Sequence, residues 1–166
     1  MKKRIPPGPG QESVWDYPRP PKLEPTTKHL KVFWKDQLLA STNSAFRVLE
    51  TSHPPVYYIP PNDIDWNWLR ADEQKQSFCE WKGTASYWNI ISPEGQMLSK
   101  AAAWSYAKPS INFAPIQHFL AFYPSRVTAC YVNDERVQAQ AGDFYGGWIT
   151  KDIVGPFKGE PGTWGW

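Results

Sequence analysis

A chain of 166 residues, 41 % of them apolar, can bury one hydrophobic core, and its 16 % aromatic share separates it from disordered chains, which are poor in such residues. Its 18 basic and 16 acidic residues leave a net charge of +2, too weak a field to recruit nucleic acid or anionic lipid, so neither is expected as a partner. No apolar run approaches the roughly 20 residues that span a bilayer, and the opening MKKRIPPGPG has no hydrophobic segment behind its positive charges, so the chain reads as cytoplasmic.

In chain order, residues 1–25 form a Pro-rich arm, with Pro6, Pro7, Pro9, Pro18, Pro20, Pro21 and Pro25. Proline fixes φ and removes a donor, so polyproline-like extension is the natural form of this arm. Residues 1–10 are expected to be a disordered tail. Val14, Trp15, Tyr17 and Leu23 are costly to leave in water, and the second half of the arm is expected to dock.

Residues 26–166 read as a single β-rich domain with a Gly-rich C-terminal segment. His29 to Asp36 alternates, with Val32 and Trp34 on one face, and a turn at Asp36-Gln37 leads into Leu38 to Ser41. Ala45 to Thr51 places Phe46, Val48 and Glu50 on one face. Glu50 either emerges at the strand end or sits half-buried, where desolvation would raise its pKa. Ser52-His53-Pro54-Pro55 makes a rigid corner into Val56 to Ile59, because a residue before proline is pushed out of the α region. His53, locked before a proline, reads as structural.

Asn62 or Asp63 is placed to cap a short helix through Leu69, with Ile64 and Trp68 one turn apart. Arg70 to Ser77 reads as a polar loop. Phe78 to Trp88 (FCEWKGTASYW) reads as one strand, with Cys79, Trp81 and Gly83 on one face and Phe78, Glu80 and Lys82 on the other. Ser99 to Tyr106 returns as a strand presenting Trp104 and Tyr106 together. A helical turn follows near Pro115, then strands over 118–123, 127–133 and 136–140. Glycines between the aromatics of the C-terminal segment are expected to let backbone pass close under packed rings.

The chemistry these residues suit is binding. Glu50, Tyr58, Cys79, Trp81, Lys82, Trp104, Tyr106, Trp148 and Lys158 are the candidate ligand-binding residues. Aromatic walls with a few charged groups suit a small polar or cationic molecule. Cys79 and Cys130 are too few for a disulfide framework and are expected to be free thiols. A structural zinc site needs about four N or S ligands, usually from CxxC-type pairs. The chain has no such pair, and His29, His53 and His118 are scattered. No metal and no cofactor is expected. Asp63-Ile64-Asp65 spells a DxD, which helix capping explains more cheaply than magnesium binding.

LETSHPPVYYIPP, CEWKGTASYW, AAAWSYAKP, FLAFYP and DFYGGWITKDIVGPFKGEPGTWGW together resemble the domain of unknown function 427 family. GPGQESVWDYPRPPKLEP and the glycine-rich ending are similar to its longer members, so the likeness covers nearly the whole chain. The resemblance implies a mainly β, single small domain with a curled antiparallel sheet similar to a β-tent, a type seen in zinc-bearing relatives and methionine sulfoxide reductases. This chain lacks the zinc cysteine pairs of those relatives, so their metal and chemistry do not carry over. A nucleotidyltransferase label sometimes attached to the family finds only Asp63-x-Asp65 here. Glu50, Tyr58, Cys79, Trp81, Lys82, Trp104 and Tyr106 fall within the family's motifs, which assign them no catalytic role.

The expected function is therefore a small-molecule binding domain with an aromatic-lined pocket, Glu50 and Lys82 orienting the ligand and the glycine-rich segment covering the mouth. The alternatives are an enzyme using Glu50 as base with Tyr58 or Lys82 as acid, and a protein-interaction domain docking through the Pro-rich arm.

Overall fold

The computed structural model describes residues 3–166. It is a single small, mainly β domain of several short, largely antiparallel sheets, none closed into a barrel, with helical turns of the 3-10 type. No helix among the described residues is long and apolar enough to cross a membrane.

The Pro-rich arm is built into the fold. Of the tail expected to be disordered, Met1 and Lys2 lie outside the described residues. Beyond them, the Ile5 N–H donates to the Gly155 carbonyl at 3.0 Å and the Arg4 guanidinium lies 4.7 Å over the Trp15 ring. Strand β1 (Glu12–Ser13) ends in a 3-10 turn over Val14–Asp16, capped by the Ser13 hydroxyl. Val14 and Tyr17 are buried there, and β2 (Lys22–Pro25) runs on into a sheet.

Alternating apolar residues make β3 (Leu30–Trp34) and β4 (Gln37–Thr42) a hairpin with Leu30, Val32, Leu39 and Ala40 turned inward. β5 (Phe46–Leu49) pairs with β2 on one side and β6 (Val56–Tyr58) on the other, the Pro54-Pro55 corner setting the return. The helix expected from Asn62 to Leu69 is instead two 3-10 turns, Pro61–Asp63 and Trp66–Trp68. Between them Ile64 is extended, and the Asp65 carboxylate accepts the Asn67 N–H at 3.2 Å, opening a new turn rather than continuing an old one.

Two further expectations are corrected in the next stretch. Arg70 to Ser77, read as a loop, belongs to β7 (Leu69–Cys79), which forms one edge of a sheet ordered β10-β9-β8-β7 with β8 (Gly83–Ile91), β9 (Met97–Ser105) and β10 (Leu120–Phe122). An edge strand facing water needs no apolar face, and charges on it discourage pairing with other chains. The run FCEWKGTASYW is a hairpin, not one strand. Cys79 pairs with Gly83, and Glu80-Trp81-Lys82 is its three-residue tip. Gly83 makes the return at φ 112°, where a side chain is strained.

β11 (Ala129–Val132) and β12 (Glu135–Arg136) complete a sheet ordered β12-β11-β3-β4. β13 (Gln138–Ala139) pairs with β14 (Trp148–Ile149), and β15 (Ile153–Val154) returns to lie parallel to β1. A mainly aliphatic core of Leu30, Val32, Leu39, Ile59, Ile90 and Leu120, with the Phe122 ring, joins the two four-stranded sheets, small Ala102 and Ala103 letting them approach. Cys79 and Cys130 are both free thiols, and burial pushes that of Cys130 up.

Candidate functional site

On the far face of β9 the packing changes from aliphatic to aromatic. Period-two alternation turns Ala103 toward the aliphatic core and Trp104 away from it, and Tyr106 just beyond the strand end follows Trp104. Tyr58 from the end of β6, Tyr87 from β8 and Tyr123 after β10 meet them in a second buried cluster. The Trp104 indole N–H donates to the Tyr58 hydroxyl at 3.2 Å, and the Trp104 and Tyr123 rings are tilted at 4.5 Å. Ser77 and Tyr87 share a hydrogen bond of 2.7 Å. Burial first, then neighbouring groups, holds Tyr58, Tyr106 and Tyr123 above the usual phenol range, so these hydroxyls stay protonated and serve as donors and acceptors.

These rings form the floor of an open cleft of about 350 Å³. One wall is the β7–β8 hairpin tip. Because the strand stops at Cys79, alternation no longer separates its side chains, and Cys79, Glu80, Trp81 and Lys82 all line the cleft. Ser110 holds the tip from behind: its hydroxyl donates to the Trp81 carbonyl, and its N–H to the Lys82 carbonyl at 2.9 Å.

The opposite wall begins where β5 ends. Val48 and Glu50 face the cleft on the side expected from their alternation. The Glu50 side chain is 25 % exposed, its carboxylate 3.4 Å from the Arg19 guanidinium and 3.6 Å from His53 Nε2, the latter beyond hydrogen-bond length. His53, read as structural, lies on the cleft wall as well. Its partner is Gln140. The Gly147 N–H can only donate, and it meets Gln140 Oε1 at 3.1 Å, so the amide nitrogen of Gln140 faces the Lys158 carbonyl at 2.7 Å and His53 Nδ1 at 3.3 Å. His53 Nδ1 is therefore the acceptor and its Nε2 carries the proton toward Glu50. Burial, with repulsion from Lys158, Arg19 and Lys82, pushes the His53 pKa down to about 4, which keeps the ring neutral.

The glycine-rich segment closes the third side. Tyr145 packs on His53 with ring centres 5.4 Å apart, and Lys158 lies beside it. A Cβ at Gly146 would fall 2.3 Å from the Trp104 ring, and one at Gly147 2.5 Å from Pro54, so here only glycine lets backbone pass under the rings. Phe78 and Phe144 stand 75 % and 71 % exposed at the rim.

Glu50, Tyr58, Cys79, Trp81, Lys82, Trp104, Tyr106 and Lys158 thus share one cleft, although they come from four separate stretches of the chain. Trp148 does not. It is wholly buried in the aliphatic core, its indole N–H donating to the Phe122 carbonyl at 3.0 Å and its ring 5.1 Å from Tyr57. A strand residue beside two glycines looks the same in sequence on either face. His53 and Gln140 belong to the cleft and were not among the candidates. Asp63 accepts from the Thr42 hydroxyl at 2.6 Å and Asp65 caps its turn, so the DxD carboxylates serve local structure.

Residues 22–133 match the family described as a domain of unknown function (DUF427), and the chain belongs to that family. The matched stretch carries Glu50, His53, the hairpin tip and Trp104, whereas Gln140, Tyr145 and Lys158 lie beyond it. None of the curated proteins matches the chain.

Proposed function

We propose that this chain binds a small polar molecule in the aromatic cleft, a ring or flat group of the ligand lying against Trp81, Trp104 and the tyrosines while charged side chains at the walls orient it. The observation that carries this reading is the cleft itself. It lies within the roughly 300–1,000 Å³ typical of small-molecule sites, with an apolar floor and a few convergent polar groups. Every ring on that floor carries a polar atom, which simple packing does not require. The Pro-rich arm, the docking element of a protein-interaction reading, is committed to the fold through buried Val14 and Tyr17.

One arrangement favours a second reading, an enzyme on the same cleft. Glu50 stands at the wall beside a neutral imidazole whose proton is aimed at it, a geometry in which the carboxylate could accept a substrate proton. Tyr58 holds its proton too firmly to serve as the acid, which leaves Lys82.

A thermal-shift screen against nucleotides, sugars, amines and amino acids tests the binding reading, with Trp81→Ala and Glu50→Gln run beside the wild type. A molecule that binds only the native state raises the midpoint by mass action. A shift in the wild type that is lost in folded variants supports the cleft as its site. If no compound moves the wild type, the reading fails.

A further inference from the structure

The charges around the cleft are unevenly matched. Among the described residues no carboxylate side chain forms an ion pair with Lys82, and the nearest acceptor of Lys158 is an oxygen of the chain's last residue, Trp166. The Lys82 ammonium lies 5.7 Å over the Phe113 ring, while Lys158 donates to the Trp166 carbonyl at 3.3 Å and lies 6.0 Å from the Tyr145 ring. Ring contacts at such distances are at the outer limit of a cation–π attraction. Both lysines are half-buried, and Lys82 has given up part of its hydration without gaining a carboxylate partner.

The carboxylates of the walls do not redress this. Glu50 is already shared between Arg19 at 3.4 Å and the His53 imidazole at 3.6 Å, and Glu80 stands exposed at the hairpin tip. His53 sits where the surplus converges, close enough to Lys158, Arg19 and Lys82 that all three oppose its protonation. A cation entering the cleft would meet the same repulsion, whereas an anion would relieve it.

Resting on the reading of the cleft as a small-molecule site, we propose that its ligand is a ring-bearing organic anion, a carboxylate in the simplest case, whose charged group is recognised by Lys82 and Lys158. The ring takes the aromatic floor, and the anionic group supplies the counter-charge that Lys82 lacks and adds to the single oxygen contact of Lys158. This assigns the two lysines a shared role that neither strand alternation nor the fold requires of them. It also replaces the cationic ligand that an aromatic wall alone would suggest.

The test uses ligands that share a ring and differ in charge: phenylacetate, phenylacetamide and phenethylamine, with the corresponding indole acid, amide and amine. Dissociation constants are measured by ligand-observed NMR and calorimetry on the full chain. The acids should bind tightest in both sets. Lys82→Gln and Lys158→Gln should each weaken the acids about 10-fold, the cost of one charge-assisted contact, and leave the amides unchanged. Lys100→Gln, on an exposed strand position, is the control. Added salt should weaken acid binding selectively. Lys82 stands at a hairpin tip and its replacement leaves the backbone bonds to Ser110 in place, so that variant reads out even if Lys158→Gln folds poorly. Amides or amines binding as tightly as the acids, or acids indifferent to both lysines, would overturn the anion inference while leaving the binding site standing. Failure of all six to bind would overturn the binding reading together with it.

Discussion

The indole of Trp148 is wholly buried and gives its N–H to a backbone carbonyl, whereas that of Trp104 is 8 % exposed and gives its N–H to the hydroxyl of another ring. The two belong to neighbouring clusters built on different rules. The cluster around Trp148 is built mainly on Leu30, Val32, Leu39, Ile59, Ile90 and Leu120, which carry no polar atoms and close against one another, with the Tyr57 ring as its aromatic neighbour. Around Trp104 are Tyr58, Tyr87, Tyr106 and Tyr123, whose hydroxyls need partners and whose faces leave a cleft open. Close packing is what holds the first cluster together, and methylenes lost from it are felt directly. The second keeps rings in place by hydrogen bonds at their edges, which leaves their faces free for something else. Large aromatic content in so short a chain therefore has two explanations in one domain, and they separate at the two faces of β9.

The comparison is broken most directly by removing a side chain from the sealed cluster. Leu120 is wholly buried and lies between the sheets, where Ile59 bonds to its backbone in both directions. Leu120→Ala should lower the unfolding free energy by about 2–5 kcal/mol, read from urea denaturation. A loss below about 1 kcal/mol would mean that this cluster relaxes as easily as a surface and that the contrast with the cleft is illusory.

Next in size is an effect of pH that belongs to the cleft alone. His53 is depressed from 6.5 to about 4 in the fold, so between those values the unfolded chain binds a proton that the folded chain refuses. Stability from this group is fully present above pH 6.5 and is lost as pH falls toward 4, to an extent on the order of 3 kcal/mol. Urea titrations at several pH values across that window should show the wild type weakening and His53→Gln responding less steeply. Equal slopes for the two proteins would remove His53 as the source.

How far the chain could be read without its structure follows the same division. Alternation identified β3, β4, β9 and β11, and it placed Val48 with Glu50 and Trp104 with Tyr106, because strands with one buried face write that face into every second residue. β7 was invisible because an edge strand with polar residues on both faces has no such signature. The hairpin tip was missed because Glu80-Trp81-Lys82 contains none of the usual turn residues, and only Gly83 marks it. His53 was legible as a rigid position but not as part of a cleft. Its partners Gln140, Tyr145 and Lys158 arrive from a segment roughly ninety residues away, and no local pattern records that return. Trp148 was misplaced because nothing local separates a tryptophan facing the core from one facing the cleft.

Gly146→Ala tests the boundary between the two clusters. A methyl there would start 2.3 Å from the Trp104 ring and 3.4 Å from the Tyr123 ring that packs on it. The ring must shift or the segment must lift, at a cost of about 1–3 kcal/mol. Tryptophan fluorescence and any ligand-induced shift should change along with stability. A variant as stable as the wild type, with unaltered fluorescence, would show that the floor of the cleft is not held as tightly as its geometry indicates.

The smallest expected change in stability is the sharpest test of the difference. Trp81 is half-buried on a three-residue hairpin tip, packed against the edge of the aromatic cluster, and the backbone carbonyl that Ser110 holds survives truncation of the side chain. Trp81→Ala should therefore cost about 1 kcal/mol or less, far below what the loss of an indole costs in a sealed core. A large apolar ring kept at a tip, where its removal leaves the fold almost untouched, has its effect on what enters the cleft. The variant should lose any ligand-induced rise in midpoint that the wild type shows. If it instead unfolds several kcal/mol more easily, Trp81 belongs to the packing of the domain, and the cleft loses one of the two indoles on which the binding reading depends.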